Sequence, residues 1–147
     1  MVEAYSEYRA ALPQAVWIGY RDEIRDVRSR LSTSSLIVAE DADNLLGAVT
    51  YYPDARLEPH ATWPPNWANV RLLAVAPVAR GRGVGRVLTE ECIRRARAAG
   101  RDALGLHTTV LMKVARTMYE HIGFERVPEL DFFPVPQFQV MAYRLRL

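Results

Sequence analysis

Along most of the chain, hydrophobic positions repeat at one of two periods, about 3.6 residues or 2, and the breaks fall at glycine, proline and short polar runs. Residues 4–12 (AYSEYRAAL) predict a short helix closed by Pro13. Over 17–31, Ile24, Val27 and Leu31 recur near helical spacing with charges between them, and STSS (32–35) reads as loop. SLIVAE (35–40) predicts a strand, DADN (41–44) a turn, and LLGAVTYY (45–52) the returning strand of a hairpin. Residues 53–69 hold Pro53, Pro59, Pro64 and Pro65 beside Trp63 and Trp67. That proline density excludes a helix or central strand. It predicts a long loop, either functional or one that folds its own tryptophans inward.

VRLLAV (70–75) predicts a buried strand, and a glycine-rich loop follows it. Residues 84–99 predict a helix whose apolar stripe is Val84, Val87, Leu88, Cys92, Ala96 and Ala99, with Arg94, Arg95 and Arg97 mostly off it and Gly100 as its stop. ALGLHTT (103–109) predicts a strand. A second helix is predicted over 111–122, with Leu111, Val114, Ala115, Met118 and Ile122 as its stripe, Gly123 as its stop and Phe124 as the contact after it. PELDFFPVPQ (128–137) reads as a proline-rich connection and FQVMAYRLRL (138–147) as the last strand. A hairpin followed by a strand–helix–strand unit implies an α/β layer fold with a mixed sheet. With no repeat, low-complexity run or linker, residues 1–147 are expected to form a single domain.

Composition narrows the function classes. Half the residues are hydrophobic and 24% are charged, as in ordinary globular proteins. A formal charge of +2 gives no electrostatic case for nucleic acid. Lys113 is the only lysine among 19 basic residues, and arginine suits phosphate. Cys92 stands alone, so no internal disulfide can form; a reducing compartment, the cytoplasm by default, is the expectation. Glu3, Glu7, Asp22, Glu23 and Asp26 interrupt any signal-peptide core, and no apolar stretch is long enough for a membrane span. Three histidines and one cysteine show no metal-ligand spacing.

The chemistry concentrates in VAPVARGRGVGRVL (75–88), where Gly81, Gly83 and Gly85 alternate with Arg80, Arg82 and Arg86. Alternating glycines let successive backbone N–H groups turn toward an anion. The helix starting near Gly83 adds unpaired N–H groups and the positive end of its dipole. Three guanidinium groups complete a site for a pyrophosphate. A P-loop is excluded because no Gly-Lys pair is present. The dinucleotide fingerprint fails because its third glycine would fall on Arg86.

The spacing that matches is R-x-x-G-x-G, Arg80 to Gly85. The segment RLLAVAPVARGRGVGRVL (71–88) resembles the acetyl-CoA-binding motif of the GNAT superfamily of N-acetyltransferases. LHTTVLMKVARTMYEHIGFERV (106–127) resembles that family's later motif, with Ala115, Tyr119, Gly123 and Phe124 in A-x-x-x-Y-x-x-x-G-F. The resemblance spans about residues 35–147. It implies a mixed, mostly antiparallel sheet flanked by helices, with acetyl-CoA as acetyl donor. The pantetheine arm would pair with free backbone groups of Leu73 and Val75, around Ala74. The diphosphate would lie on the backbone from Gly81 through Arg82, Gly83 and Val84 to Gly85, helped by Arg80, Arg82 and Arg86. Thr108 would face the acetyl or pantetheine end, or be satisfied within the sheet. Tyr119 would be the general acid for the departing thiolate, after a neutral primary amine attacks the thioester carbonyl and backbone N–H groups near Val75 hold the oxyanion.

The chain also departs from the family's pattern. Met112 stands where many relatives carry asparagine, and Asn69 where they often carry a glutamate base. The base is therefore unassigned, with Glu58, His60 and His107 as candidates. Residues 1–12 are too short for the usual first strand and helix, so the sheet is expected to lack that strand, and a second copy of the chain is the candidate cover for the exposed edge. The acceptor amine, on a small molecule or a peptide N-terminus, would meet the 53–69 and 128–137 segments, which carry Asp54, Glu58, Trp63, Trp67, Asp131, Phe132 and Phe133. The competing class is a non-catalytic acyl-CoA-binding module; an arginine-driven nucleic-acid binder is the weakest reading.

Overall fold

A computed structural model of the chain describes residues 1–60 and 62–147; Ala61, inside the predicted 53–69 loop, lies outside the described residues. The chain opens with a short helix α1 (Val2–Tyr5), continued by a 3-10 turn (Ser6–Tyr8), where a helix over 4–12 was expected. The predicted 17–31 helix is two pieces, α2 (Gln14–Arg25) and α3 (Val27–Arg30). Asp26 makes the break: its carboxylate accepts the Ser29 N–H at 3.2 Å and so caps α3.

Seven strands form one sheet in the order β1 (Ser35–Asp41), β2 (Asn44–Tyr52), β3 (Trp67–Val75), β4 (Ala103–Thr109), β7 (Phe138–Arg146), β5 (Glu125–Arg126), with β6 (Phe132–Val135) also on β7. Among the described residues β3–β4 is the one parallel pair, and no strand precedes β1, which forms an edge of the sheet. The 128–137 connection is corrected by the structure: it contains β6, which pairs with β7. Pro134 is tolerated there because a strand with one neighbour needs few N–H donors.

Helices α4 (Val84–Ala98) and α5 (Lys113–Ile122) are associated with one face of the sheet, and α1 and α2 with the other. In α4 the buried stripe is Val84, Leu88, Thr89, Cys92, Ile93 and Ala96, whereas the expected Val87 is 60% exposed. Thr89 enters because its hydroxyl donates to Gly85 O at 2.8 Å, which removes the penalty of burying it. On α5 the expected core residue Val114 is solvent-facing, and Tyr119 is the side chain that is fully buried. Trp63 and Trp67 turn inward and pack with Ala55, Ala103, Val127 and Ala142 in a separate cluster.

Two features of β3 open the sheet. Its pairing with β4 covers only Trp67–Val70 against Ala103–Leu106, after which no pairing joins the two strands. Then a bulge sets Leu72 and Leu73 opposite Val49, with Leu72 at φ +54°. The extra residue switches the facing of the strand. Ala68 and Val70 face the α4 side before it, Leu73 and Val75 after it, while Leu72 and Ala74 face α1 and α2.

Candidate active site

The end of pairing between β3 and β4 leaves a cleft of about 730 Å³ running through the sheet. Its wall on the α4–α5 side includes Leu73, Val75, Val84, Gly85, Met118 and Tyr119; its wall on the α1–α2 side includes Tyr5, Tyr8, Tyr20, Arg71 and His107. The glycine loop closes one end. Gly81 (φ +74°) and Gly83 (φ +79°) hold left-handed conformations that a side chain disfavours, and Gly83 caps α4. Val87 N–H donates to Gly83 O at 3.0 Å, so the N–H groups of Val84, Gly85 and Arg86 have no acceptor within the helix. Gly85 differs from its two neighbours. A Cβ there would point toward Val75 Cγ2, Leu73 Cδ2 and Met118 Sδ at 3.5–3.8 Å, narrowing the passage between β3 and α5 without a clash.

The free edge of β3 borders the same cleft. Ala76 N–H donates to Leu46 O at 2.8 Å, so strand parity turns the backbone groups of Ala74 toward β2 and those of Leu73 and Val75 toward the cleft. Leu73 O accepts the Tyr5 hydroxyl at 2.8 Å. The glycine cradle, the unpaired β3 edge and the open passage at Gly85 therefore fit an elongated donor with a diphosphate head and an amide-bearing arm.

The three loop arginines have different settings. Arg80 Nη1 donates to Glu7 (2.8 Å) and Nη2 to Ala4 O (3.0 Å), bridging the loop to the N-terminal segment. Arg86 pairs with Glu90 at 2.8 Å along α4. Arg82 pairs with Asp41 at 3.2 Å and does not line the cleft. All three pairs are exposed, so each is worth roughly 0–1 kcal/mol and yields readily to a phosphate. Thr108 is also outside the lining: it is buried on the α4-facing side of β4, and its hydroxyl has no partner among the described residues. Met112, the residue before α5, borders the cleft with an apolar chain.

Tyr119 rises from α5 and packs on Phe124, with ring centroids 5.6 Å apart. Its hydroxyl makes no hydrogen bond among the described residues, yet it is not sealed from the cleft. Burial, reinforced by Tyr20, pushes the phenol well above its ordinary value, so it keeps its proton through the neutral range.

The three candidate bases separate cleanly. Glu58 is buried and engaged, accepting from Arg71 Nη1, the His60 N–H (2.9 Å) and the Trp63 indole N–H (3.2 Å). His60 is half-exposed beside Glu23 at 3.5 Å and does not border the cleft. His107 borders it: Nε2 lies 3.0 Å from Leu130 O, and burial pulls its pKa below the ordinary histidine value. Asn69 is a structural tie, donating to Gly105 O at 3.1 Å across β3 and β4.

The α1–α2 wall escaped the sequence reading. Tyr5, Tyr8 and Tyr20 look like packing positions on amphipathic segments, and only the bulge and the docking of α1 bring them to the cleft. Arg71 had a legible signal, a charge inside the apolar run VRLLAV. It is held between Glu58 and Glu23, with Nη2 2.9 Å from Glu23 Oε2. Among the described residues no helix is long and apolar enough to cross a membrane.

Known proteins resemble this chain in sequence and in fold. The sequence profile of the acetyltransferase (GNAT) family matches residues 2–124. A mycothiol acetyltransferase of Beutenbergia cavernae is 41% identical over 67 residues, 46% of this chain and 23% of that protein, so the match spans about a quarter of the relative's length. A GCN5-related N-acetyltransferase from Kribbella flavida superposes with a TM-score of 0.60 at 30% identity, covering 78% of this chain and 68% of that one. An acetyltransferase from Bacillus subtilis, solved in complex with CoA, shares the fold with a TM-score of 0.66 at 19% identity and covers 86% of each chain.

Proposed function

The chain belongs to the acetyltransferase (GNAT) family, and we propose that it transfers the acetyl group of acetyl-CoA directly to a primary amine, on a small molecule or at a peptide N-terminus. The observation that carries this reading is the meeting, in one cleft, of a left-handed glycine cradle, the free edge of β3 and the buried Tyr119 hydroxyl.

In this reading the N–H groups from Gly81 to Arg86 bind the diphosphate, and Arg80 and Arg86 exchange their exposed carboxylate partners for it. Val75 pairs with the pantetheine amides, and Leu73 and Val75 turn N–H groups toward the thioester oxygen, where negative charge builds as the amine attacks. Tyr119 donates a hydrogen bond to the departing sulfur. Outright proton transfer from so weak an acid to a thiolate, whose thiol has a pKa of about 8.5, is uphill, so the sulfur leaves hydrogen-bonded and takes its proton from solvent. The amine enters from the α1–α2 side, between the tyrosines and His107.

Calorimetric titration with acetyl-CoA tests the donor site. One-to-one binding, weakened at least tenfold in Gly83→Val, is the expected outcome, because a β-branched residue at φ +79° distorts the cradle. A folded protein that binds no acetyl-CoA refutes the reading.

A further inference from the structure

We propose that His107 is the general base of this reaction, with Nδ1 as the atom that takes the proton from the attacking amine; the assignment rests on the acetyl-transfer reading above. Three geometric facts select it. His107 faces the cleft from β4, on the wall opposite Tyr119, which in the acetyl-transfer reading leaves one residue for the incoming amine and the other for the departing sulfur. The tautomer is set: Leu130 O can only accept, so Nε2 carries the hydrogen and Nδ1 keeps its lone pair. Nδ1 has no hydrogen-bond partner among the described residues and is not shut off from the cleft.

The ring is also clamped. It stands 4.5 Å from the Trp63 ring and edge-on to Phe132 at 5.0 Å. Trp63 reaches that position because Gly105, two residues earlier on β4, has no side chain; a Cβ there would lie 2.6 Å from Trp63 Cζ3. A proline-rich loop, a glycine and the 3-10 turn Pro128–Leu130 thus converge on orienting one imidazole.

Its surroundings suit a base. Burial is the largest influence and disfavours the imidazolium, and Arg71 on β3 acts in the same direction. The Leu130 carbonyl, Glu58 and Asp131 act against it. Trp63 and Phe132 bring no charge, and Tyr20 on the α1–α2 wall stays protonated. The neutral ring therefore prevails at pH 7. His107 and Tyr119 have environments that separate a proton acceptor from a hydrogen-bond donor that keeps its proton. In the step itself, the amine nitrogen bonds to the thioester carbon, the C–S bond breaks with its electron pair on sulfur, and the nitrogen's proton passes to Nδ1. Solvent then removes that proton and protonates the thiolate, giving amide and free thiol.

The test uses acetyl-CoA with hydroxylamine, an acceptor small enough for any amine pocket, and follows enzyme-dependent CoA release against pH at a fixed concentration of the unprotonated acceptor, because protonated hydroxylamine itself titrates in the acidic range. In the wild type, kcat/KM should rise with pH through a midpoint below the ordinary histidine value. His107→Gln, which retains an N–H for Leu130 O, should lose at least a hundredfold in kcat, with the acid limb abolished and acetyl-CoA affinity within twofold of wild type. His107→Asn serves as a second variant should glutamine disturb the ring's packing. Nitrogen NMR of the histidine rings should show His107 as the Nε2–H tautomer. Wild-type kcat and an unchanged limb in both variants, or the opposite tautomer, overturn the assignment while acetyl transfer stands. Acetyl-CoA binding without hydroxylamine-dependent CoA release in the wild type overturns both the transferase reading and the base.

Discussion

Replacing Tyr119 by phenylalanine removes one oxygen atom from the cleft and nothing else. The ring is 95% buried, and its contact with Phe124 does not involve the hydroxyl. Because that hydroxyl bonds to no protein group among the described residues, the substitution strands no donor or acceptor. Folding stability should therefore change by no more than about 0.5 kcal/mol. Acetyl-CoA affinity should change little, since the contacts proposed for the diphosphate and pantetheine lie on the glycine loop and β3. The loss should fall on turnover, where a hydrogen bond to developing charge in a dry site is worth about 10²- to 10³-fold, or roughly 3–4 kcal/mol in the barrier. Three measurements separate these terms: a thermal melt, a calorimetric titration with acetyl-CoA, and initial rates of CoA release. Full turnover in Tyr119→Phe refutes the role of its hydroxyl as hydrogen-bond donor to the departing sulfur. A stability loss above about 2 kcal/mol would mean that the hydroxyl has a structural partner. Tight acetyl-CoA binding with no turnover in the wild type would favour the acyl-CoA-binding module.

Two further outcomes follow from the buried polar groups. Glu58→Ala leaves Arg71 with Glu23 alone and orphans the Trp63 indole N–H, so denaturant unfolding should show a loss of about 3–5 kcal/mol, with Glu58→Gln milder because it keeps its acceptor oxygen. All seven tyrosines have phenol pKa values raised, chiefly by burial. The unfolded chain would ionise near pH 10 while the folded one resists, so stability should be complete below about pH 10 and fall as pH rises beyond it. Phenolate absorbance checks this directly: a native titration that coincides with the denatured one would contradict the burial argument.

Local signals carried much of the chain. The β1–β2 hairpin, β4 and α4 lie close to where period and turn residues put them, because each is specified by contacts among near neighbours and by glycine or polar stops. The glycine loop was legible for the same reason: positive φ at Gly81 and Gly83 is a demand on single residues. Tyr119 and the Gly123 stop belonged to a motif with its own helical spacing. By contrast, the break at Asp26 depends on a side-chain cap, and β6 exists only because β7 is present to pair with it.

What the sequence determined by itself was the order of the principal helices and strands, the left-handed glycine loop and the family to which the chain belongs. Each rests on backbone conformations and residue types a few positions apart. The tertiary structure decided which groups share the cleft. The bulge at Leu72 turns Leu73 and Val75 from one face to the other, and the short β3–β4 pairing opens the sheet beside them. Tyr5 reaches Leu73 across 68 positions, and His107 meets Leu130 across 23. His107, Glu58 and His60 are indistinguishable as letters. One faces the cleft with a free nitrogen, one is consumed by Arg71 and the Trp63 indole, and one lies outside it, because long-range packing assigns hydrogen-bond partners and local sequence does not.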